Sequence, residues 1–247
     1  MESWYIDINS DVGEGVGNET KLFPYITSCN IACGGHAGDE NSIRQILKLS
    51  KVHKVKIGAH PSYPDKENFG RKTMDISPEK LQKSIQEQLD TFVKIVKEED
   101  VHLHHIKPHG ALYNDIAKDR QLAIIFLKAI EKYKEQVYLY APYASKIAKE
   151  ADNQNFKIKF EAFGDRNYNP DLSLVSRTKE NASIQDPEEV LMHIVQIIKT
   201  NTVNTVSGQS PKILADTLCI HGDTPSALKI LMYLSQELPN HQVQPNK

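Results

Sequence analysis

Ionisable side chains recur where the short apolar runs of this 247-residue chain end. Asn9 and Asp11 follow the first run, His36 and Asp39 the second, and His60 closes the third. Lys107 and His109 follow a fourth, Asp165 and Arg166 a sixth, and His221 and Asp223 a seventh. Carboxylates and imidazoles of this kind bind a divalent cation or move a proton. A lysine among them suits a carboxylate, a phosphate or developing negative charge. Arg71 and Arg166 have the fork that takes a carboxylate bidentately, although both sit in loops, where surface arginines are common. Each residue has a plain alternative. A lone histidine is commonly a hydrogen-bonded structural group, Asp39 can cap a helix beginning near Asn41, and Asp223 can cap one beginning at Pro225. What separates the pattern from chance is its repetition on one strand end after another.

The elements that must position these groups alternate. Strand-like runs span 4–8, 28–33, 54–60, 101–110, 137–142, 156–165 and 215–224. Helical spacing fills 41–53, 77–99, 119–133, 144–152, 186–200 and 225–238. Ile43, Ile46, Leu47 and Ser50 share one helix face, and Leu81, Ile85, Leu89, Phe92 and Val96 form a second stripe behind Ser77-Pro78. Strict alternation predicts a parallel sheet covered by helices. The expected fold is α/β, a single (β/α) barrel of seven strands over residues 1–238, with 239–247 a polar, frayed tail. In a closed barrel all strand C-termini share one mouth. In an open sheet only a few would meet at a switch point. The insertion at 202–214 reads as a small hairpin and 164–183 as a long functional loop.

Composition narrows the classes. A net charge of −2 and a pI near 6.6 give no electrostatic footprint for nucleic acid. Three cysteines, Cys29, Cys33 and Cys219, are too few and odd for a disulfide framework. The start lacks a leader-like apolar stretch and no run would span a membrane, so the expected location is the cytoplasm. The glycine-rich "GEGVGNETK" (13–21) matches no nucleotide-binding spacing and reads as a mobile loop. "CNIAC" reads as two buried thiols, with Cys33 close enough to the mouth for some reactivity. In "HLHH" (102–105), alternation puts His105 on the face of Lys107 and His109, opposite His102 and His104. In "NIACGGHAGD" (30–39), Gly34 and Gly35 let the backbone turn and leave room for a small substrate.

"DINSDVGE", "NIACGGHAGD", "GAHPSYPD", "FGRKTM", "IKPHGALYN", "FGDRNY" and "CIHGDTP" occur in order from Asp7 to Pro225. Together they resemble the LamB/YcsF family, and the resemblance extends over nearly the whole chain. It implies a deacetylase-like, TIM-barrel-related fold and the role of the A subunit of a 5-oxoprolinase. The implied reaction is cleavage of 5-oxo-L-proline (pyroglutamate) to L-glutamate with ATP hydrolysis. The implied partners are subunits B and C, which would bind ATP and activate the amide while this chain opens the ring; neither nucleic acid nor membrane is involved. The catalytic set expected on this basis is Asp11, His36, His60, Lys107, His109 and His221. Asn9, Asp39, Arg71, Arg166 and Asp223 are expected to bind substrate or orient the histidines. By analogy with deacetylase-like barrels, Asp11, His36 and His60 would hold a divalent metal; the same three could instead activate water without one. Two rival readings stay open, a stand-alone metal-dependent amide hydrolase or deacetylase and a non-catalytic substrate-binding subunit.

Overall fold

A strand buried on both faces needs neighbours on both edges and cover on both sides. The chain meets that demand by closing its sheet. In this computed structural model, residues 3–246 are described. Met1, Glu2 and Lys247, the outermost residues of the expected domain and tail, lie outside the described residues. Strands and helices follow as β1 (Trp4–Val12), α1 (Glu19–Leu22), β2 (Ser28–Ala32), α2 (Glu40–His53), β3 (Lys56–His60) and α3 (Pro78–Glu98). Then come β4 (Leu103–Ile106), α4 (Gly110–Lys118), α5 (Arg120–Ile130), β5 (Tyr138–Pro142) and α6 (Lys146–Asn153). The last group is β6 (Lys157–Phe163), α7 (Pro187–Thr200), β7 (Thr217–Cys219), α8 (Ala227–Glu237) and β8 (Val243–Pro245). Neighbouring strands run β2-β3-β4-β5-β6-β7-β1, and the β1–β2 pairing closes a seven-stranded parallel barrel.

The helices dock for the reasons their sequences suggest. Asp39 accepts from the Ser42 backbone and Ser42 returns the bond, a capping box at the start of α2. The buried residues of α2 are the predicted Ile43, Ile46, Leu47 and Ser50. Ser77 caps α3 ahead of Pro78, and Asp186 caps α7 ahead of Pro187.

Several elements differ from expectation. β1 extends to Val12 because Asn9–Val12 pair with Ser28–Ile31, so Asn9 and Asp11 lie inside the barrel wall. β7 keeps only Thr217–Cys219. The stretch after Lys107 forms α4, a helix not expected from the sequence. Residues 239–245, expected to fray, make a short 3₁₀ turn and β8, which pairs with Trp4–Ile6 of β1. The hairpin expected over 202–214 is an antiparallel bridge between Thr202 and Lys212. The loop after Phe163 winds around Arg166, whose Nε and Nη2 donate to the carbonyls of Ala182 and Val175.

The barrel interior is polar. On β1 the even positions Ile6, Ile8 and Val12 join the hydrophobic core, while Asp7, Asn9 and Asp11 face inward. At the lower end Asp7 accepts from Thr27, Ser28, Tyr140 and Thr217. One layer up, His105 donates to Asn30, whose amide donates to Asn9 and Asp11. The His105 ring stacks on Tyr140 and fills the space beside Gly58, where a Cβ would lie 2.0 Å from Nε2. Gly58→Ala should therefore cost about 1–3 kcal/mol or more through overpacking, read as a lowered urea midpoint with the m-value unchanged.

Candidate active site

Lys107 stands at the centre of the mouth. Its Nζ lies 3.0 Å from Asp11 Oδ1, 2.9 Å from Glu161 Oε1, 3.2 Å from Asn9 Oδ1 and 3.1 Å from Cys219 Sγ. Burial works against the ammonium, but the Asp11 and Glu161 carboxylates hold it well above the usual lysine range. Burial likewise works against the Asp11 charge, and the neighbouring His60 and Lys107 outweigh it, so Asp11 stays well below the usual carboxylate range. Asn9 is fully engaged. It donates to Glu161 and Thr217 and accepts from Asn30 and Lys107, which makes it a positioning residue.

Beside this pair, two imidazoles point bare nitrogens at each other. His60 Nδ1 lies 2.7 Å from the Lys107 carbonyl, and His109 Nε2 lies 3.0 Å from the Phe69 carbonyl. A carbonyl only accepts, so those nitrogens carry the protons of the neutral rings. The other nitrogens, His60 Nε2 and His109 Nδ1, are then unprotonated and 3.0 Å apart. Asp11 Oδ2 is 3.5 Å from the first, and Glu14 Oε1 is 3.3 Å from the second. Burial, then the neighbouring His60 and His36, keep His109 well below the usual histidine range. Four lone-pair atoms facing one another require a proton or a cation between them. Asp11, Glu14, His60 and His109 each offer one ligand atom within 4.8 Å of the others. Tying the second imidazole nitrogen to a carbonyl is the usual support of a metal-binding histidine. The donor set fits a divalent cation.

This is a different set from the Asp11, His36 and His60 expected from the sequence. His36 directs Nε2 to Glu14 at 3.0 Å and stacks on His109 with ring centroids 3.6 Å apart. It orients Glu14 and packs His109 in place. The turn of "FGRKTM" braces both rings: Phe69 meets each edge-on, and a Cβ on Gly70 would lie 3.0 Å from His36 Cβ. Gly35 has a different purpose from the one expected. A Cβ there would lie 2.4 Å from Ser62 Oγ and 2.5 Å from Gln88 Oε1, so the glycine admits the Ser62–Gln88 contact rather than substrate.

On the far wall His221 stacks on Phe163, and its Nδ1 lies 2.9 Å from Asp165. Asp165 also accepts from the His221 backbone and from Thr224. Burial disfavours the Asp165 charge, yet His221 holds it below the usual range. The contact with Asp165 engages the Nδ1 proton and leaves Nε2 as the nitrogen free to exchange one. Asp165, rather than Asp39 or Asp223, orients this histidine. Asp39 is exposed and engaged at the cap of α2. Asp223 sits on the rim between Arg71 and Arg177. Arg166 borders the mouth but is held by two loop carbonyls. Burial raises the Cys33 thiol to about 12, which disfavours the thiolate that reactivity would need. The mouth encloses about 610 Å³, bordered by Asp11, Glu14, His60, Lys107, His109 and His221 among others.

Glu14, Glu161 and Asp165 have roles here that the sequence alone did not assign. Glu14 lay in the expected mobile loop. Glu161 carried a signal, as the one acid of β6, at an inward position.

The model of the LamB/YcsF family matches residues 6–247. The chain belongs to this family. A 5-oxoprolinase A subunit from Thermococcus sibiricus is 40% identical over 238 residues, covering 94% of this chain and 93% of that protein. One from Oceanobacillus iheyensis is 38% identical over 245 residues, covering 97% and 95%. The crystal structure of the lactam utilization protein of Thermus thermophilus superposes with a TM-score of 0.91 at 32% identity, covering 98% of this chain and 99% of that one. The barrel described above is thus a LamB/YcsF barrel. Among the described residues no helix is long and apolar enough to cross a membrane.

Removing the Lys107 ammonium should change the pH dependence of stability. In the wild type, stability from the lowered Asp11 pKa is present above the ordinary carboxylate value of about 3.9 and is lost as pH falls through the folded value. In Lys107→Met, His60 still favours the Asp11 charge but the ammonium no longer does, so Asp11 moves upward and part of the lost stability should return as pH falls. Urea unfolding at pH 8 should show a loss of about 3–5 kcal/mol, and the deficit should narrow at pH 5.

Proposed function

We propose that this chain is the A subunit of an ATP-dependent 5-oxoprolinase and that its mouth opens the lactam ring of 5-oxo-L-proline to give L-glutamate. The observation that carries the reading is the facing pair of bare nitrogens, His60 Nε2 and His109 Nδ1, bracketed by Asp11 and Glu14 next to buried Lys107. Such a pair suits hydrolysis, because it accepts a proton from an attacking water at a site already fitted for positive charge. The similarity to 5-oxoprolinase A subunits supports the choice of a cyclic amide.

A five-membered lactam is a stabilised amide, which is why its cleavage would draw on ATP. Subunits B and C would bind ATP and phosphorylate the amide oxygen, making the ring carbon electrophilic. A first water then attacks that carbon and the carbon–nitrogen bond breaks, the nitrogen taking up a proton, which leaves an acyl phosphate; a second water cleaves this to the carboxylate and phosphate. His60 and His109 receive the proton of the attacking water. Lys107 stabilises negative charge that develops on oxygen. His221, oriented by Asp165, gives a proton to the departing nitrogen from Nε2 once that atom has been protonated. A divalent cation held by Asp11, Glu14, His60 and His109 would occupy those same nitrogen lone pairs, and would then supply water activation and Lewis acidity toward oxygen in place of the histidine base. Arg71 and Arg177, at the rim, suit the substrate carboxylate or the phosphate.

The decisive assay measures glutamate from 5-oxoproline with this chain, subunits B and C, and ATP, omitting each in turn. Glutamate should require all four. Cleavage by this chain alone would instead favour a stand-alone hydrolase, and turnover that survives every substitution in the mouth would favour a binding subunit. In the complete system His60→Ala and His221→Ala should each lower kcat by about 100-fold or more, with the fold intact by circular dichroism. Chelation followed by dialysis should lower activity, and Zn²⁺ or Mn²⁺ should restore it. Retained metal, measured by elemental analysis, should fall in Asp11→Asn and His109→Ala but not in Asp39→Ala.

A further inference from the structure

Tyr113 and Glu161 carry two buried polar atoms that the site described above does not use. Glu161 Oε1 accepts from Lys107 and Asn9, whereas among the described residues Oε2 has no hydrogen-bond partner, and neither has the Tyr113 hydroxyl. Glu161 is 1% exposed and Tyr113 5%. Burial first, then the Glu161 charge and the approach of that carboxylate to the hydroxyl, which falls outside hydrogen-bond geometry, hold the Tyr113 phenol well above its usual range, so the hydroxyl keeps its proton and is a donor. The Glu161 carboxylate, paired with Lys107, is an acceptor. Both side chains line one cavity of about 110 Å³, together with Phe163, Tyr168 and Pro142. A single water needs only about 15 Å³ by this measure, so there is room for a small ring. Tyr113 and Phe163 also border the mouth that holds Asp11, His60 and His109, so the cavity and the reacting groups share walls.

We propose that Tyr113 and Glu161 form a clamp for the edge of a cis amide, and that this clamp selects lactams. A five-membered lactam fixes its amide cis and presents C=O and N–H along one edge. The Tyr113 hydroxyl donates to that oxygen, Glu161 Oε2 accepts from that N–H, and the ring carbons pack on Phe163. An open-chain peptide bond is trans and presents the same two groups on opposite sides, so it satisfies only one of them. A lactam without N–H leaves Glu161 Oε2 unpaired in a buried setting, which is how a polar site rejects a near-isostere. The inference rests on the reading of this chain as acting on lactams and adds how the ring is recognised.

Calorimetric titration of the full chain, alone and assembled with subunits B and C, tests it with 2-pyrrolidone, 5-oxoproline and N-methyl-2-pyrrolidone. The wild type should bind the first two, and the N-methyl compound about tenfold or more weakly, as loss of a buried hydrogen bond requires. Tyr113→Phe should weaken 2-pyrrolidone by a similar factor while its melting curve stays that of a folded protein. Equal binding of the N-methyl compound by the wild type overturns the clamp without need of a variant. Unchanged lactam affinity in Tyr113→Phe overturns it too and assigns the cavity to water. Those two results leave the ring-opening reading standing. No lactam binding by the wild type, alone or assembled, overturns the clamp, and absence of glutamate in the complete assay is the separate result that overturns the reading.

Discussion

A lysine ammonium enclosed by a barrel must be surrounded by acceptors, because an unpaired buried charge is among the most expensive things a fold can contain. The interior here is arranged around that demand. Asp11 and Glu161 both pair with Lys107, Asn9 accepts from it as well, and Asn30 and Thr217 hold Asn9 in register. His105 fixes Asn30 in turn and occupies space that only glycine at residue 58 leaves open. Strands β1, β2, β4, β6 and β7 are therefore joined by side chains inside the barrel as well as by their ladders.

The same arrangement prepares the mouth. Asp11 faces Lys107 with one oxygen and His60 with the other, so the structural ion pair and the facing histidines share a carboxylate. His60 takes its tautomer from the Lys107 carbonyl and His109 from the Phe69 carbonyl. Backbone groups thus decide which nitrogens face the cavity, and rigid strands and turns hold them there. The facing lone pairs are a local conflict, and such conflicts concentrate at functional sites.

Capping, periodicity and strand ends were legible because their causes are local. Asp39, Ser77 and Asp186 cap the helices that follow them, and the apolar stripes of α2 and α3 face the core as their spacing requires. The order and number of barrel strands followed from alternation and from the rule that strand C-termini share a face. The helix α4 escaped notice because it starts directly after His109 with a glycine at φ +57°, which reads as a loop. β8 escaped notice because its partner β1 lies more than two hundred residues away, with Trp4 opposite Val243.

By itself the sequence determined the barrel, the caps at Ser77 and Asp186 and the family, and it marked Asp11, His60, Lys107, His109 and His221 as candidates for one mouth. Only the tertiary structure decided their roles. It replaced His36 with Glu14 and His109 beside the bare nitrogen of His60, returned Asp39 to helix capping, and gave Asp165 rather than Asp223 to His221. It also joined Glu161 to Asn9 across 152 residues of sequence. The reason is physical. Capping and periodicity are settled within a few residues, whereas ion pairs and tautomers depend on which side chains barrel closure brings within about 3 Å of each other, the reach of a hydrogen bond.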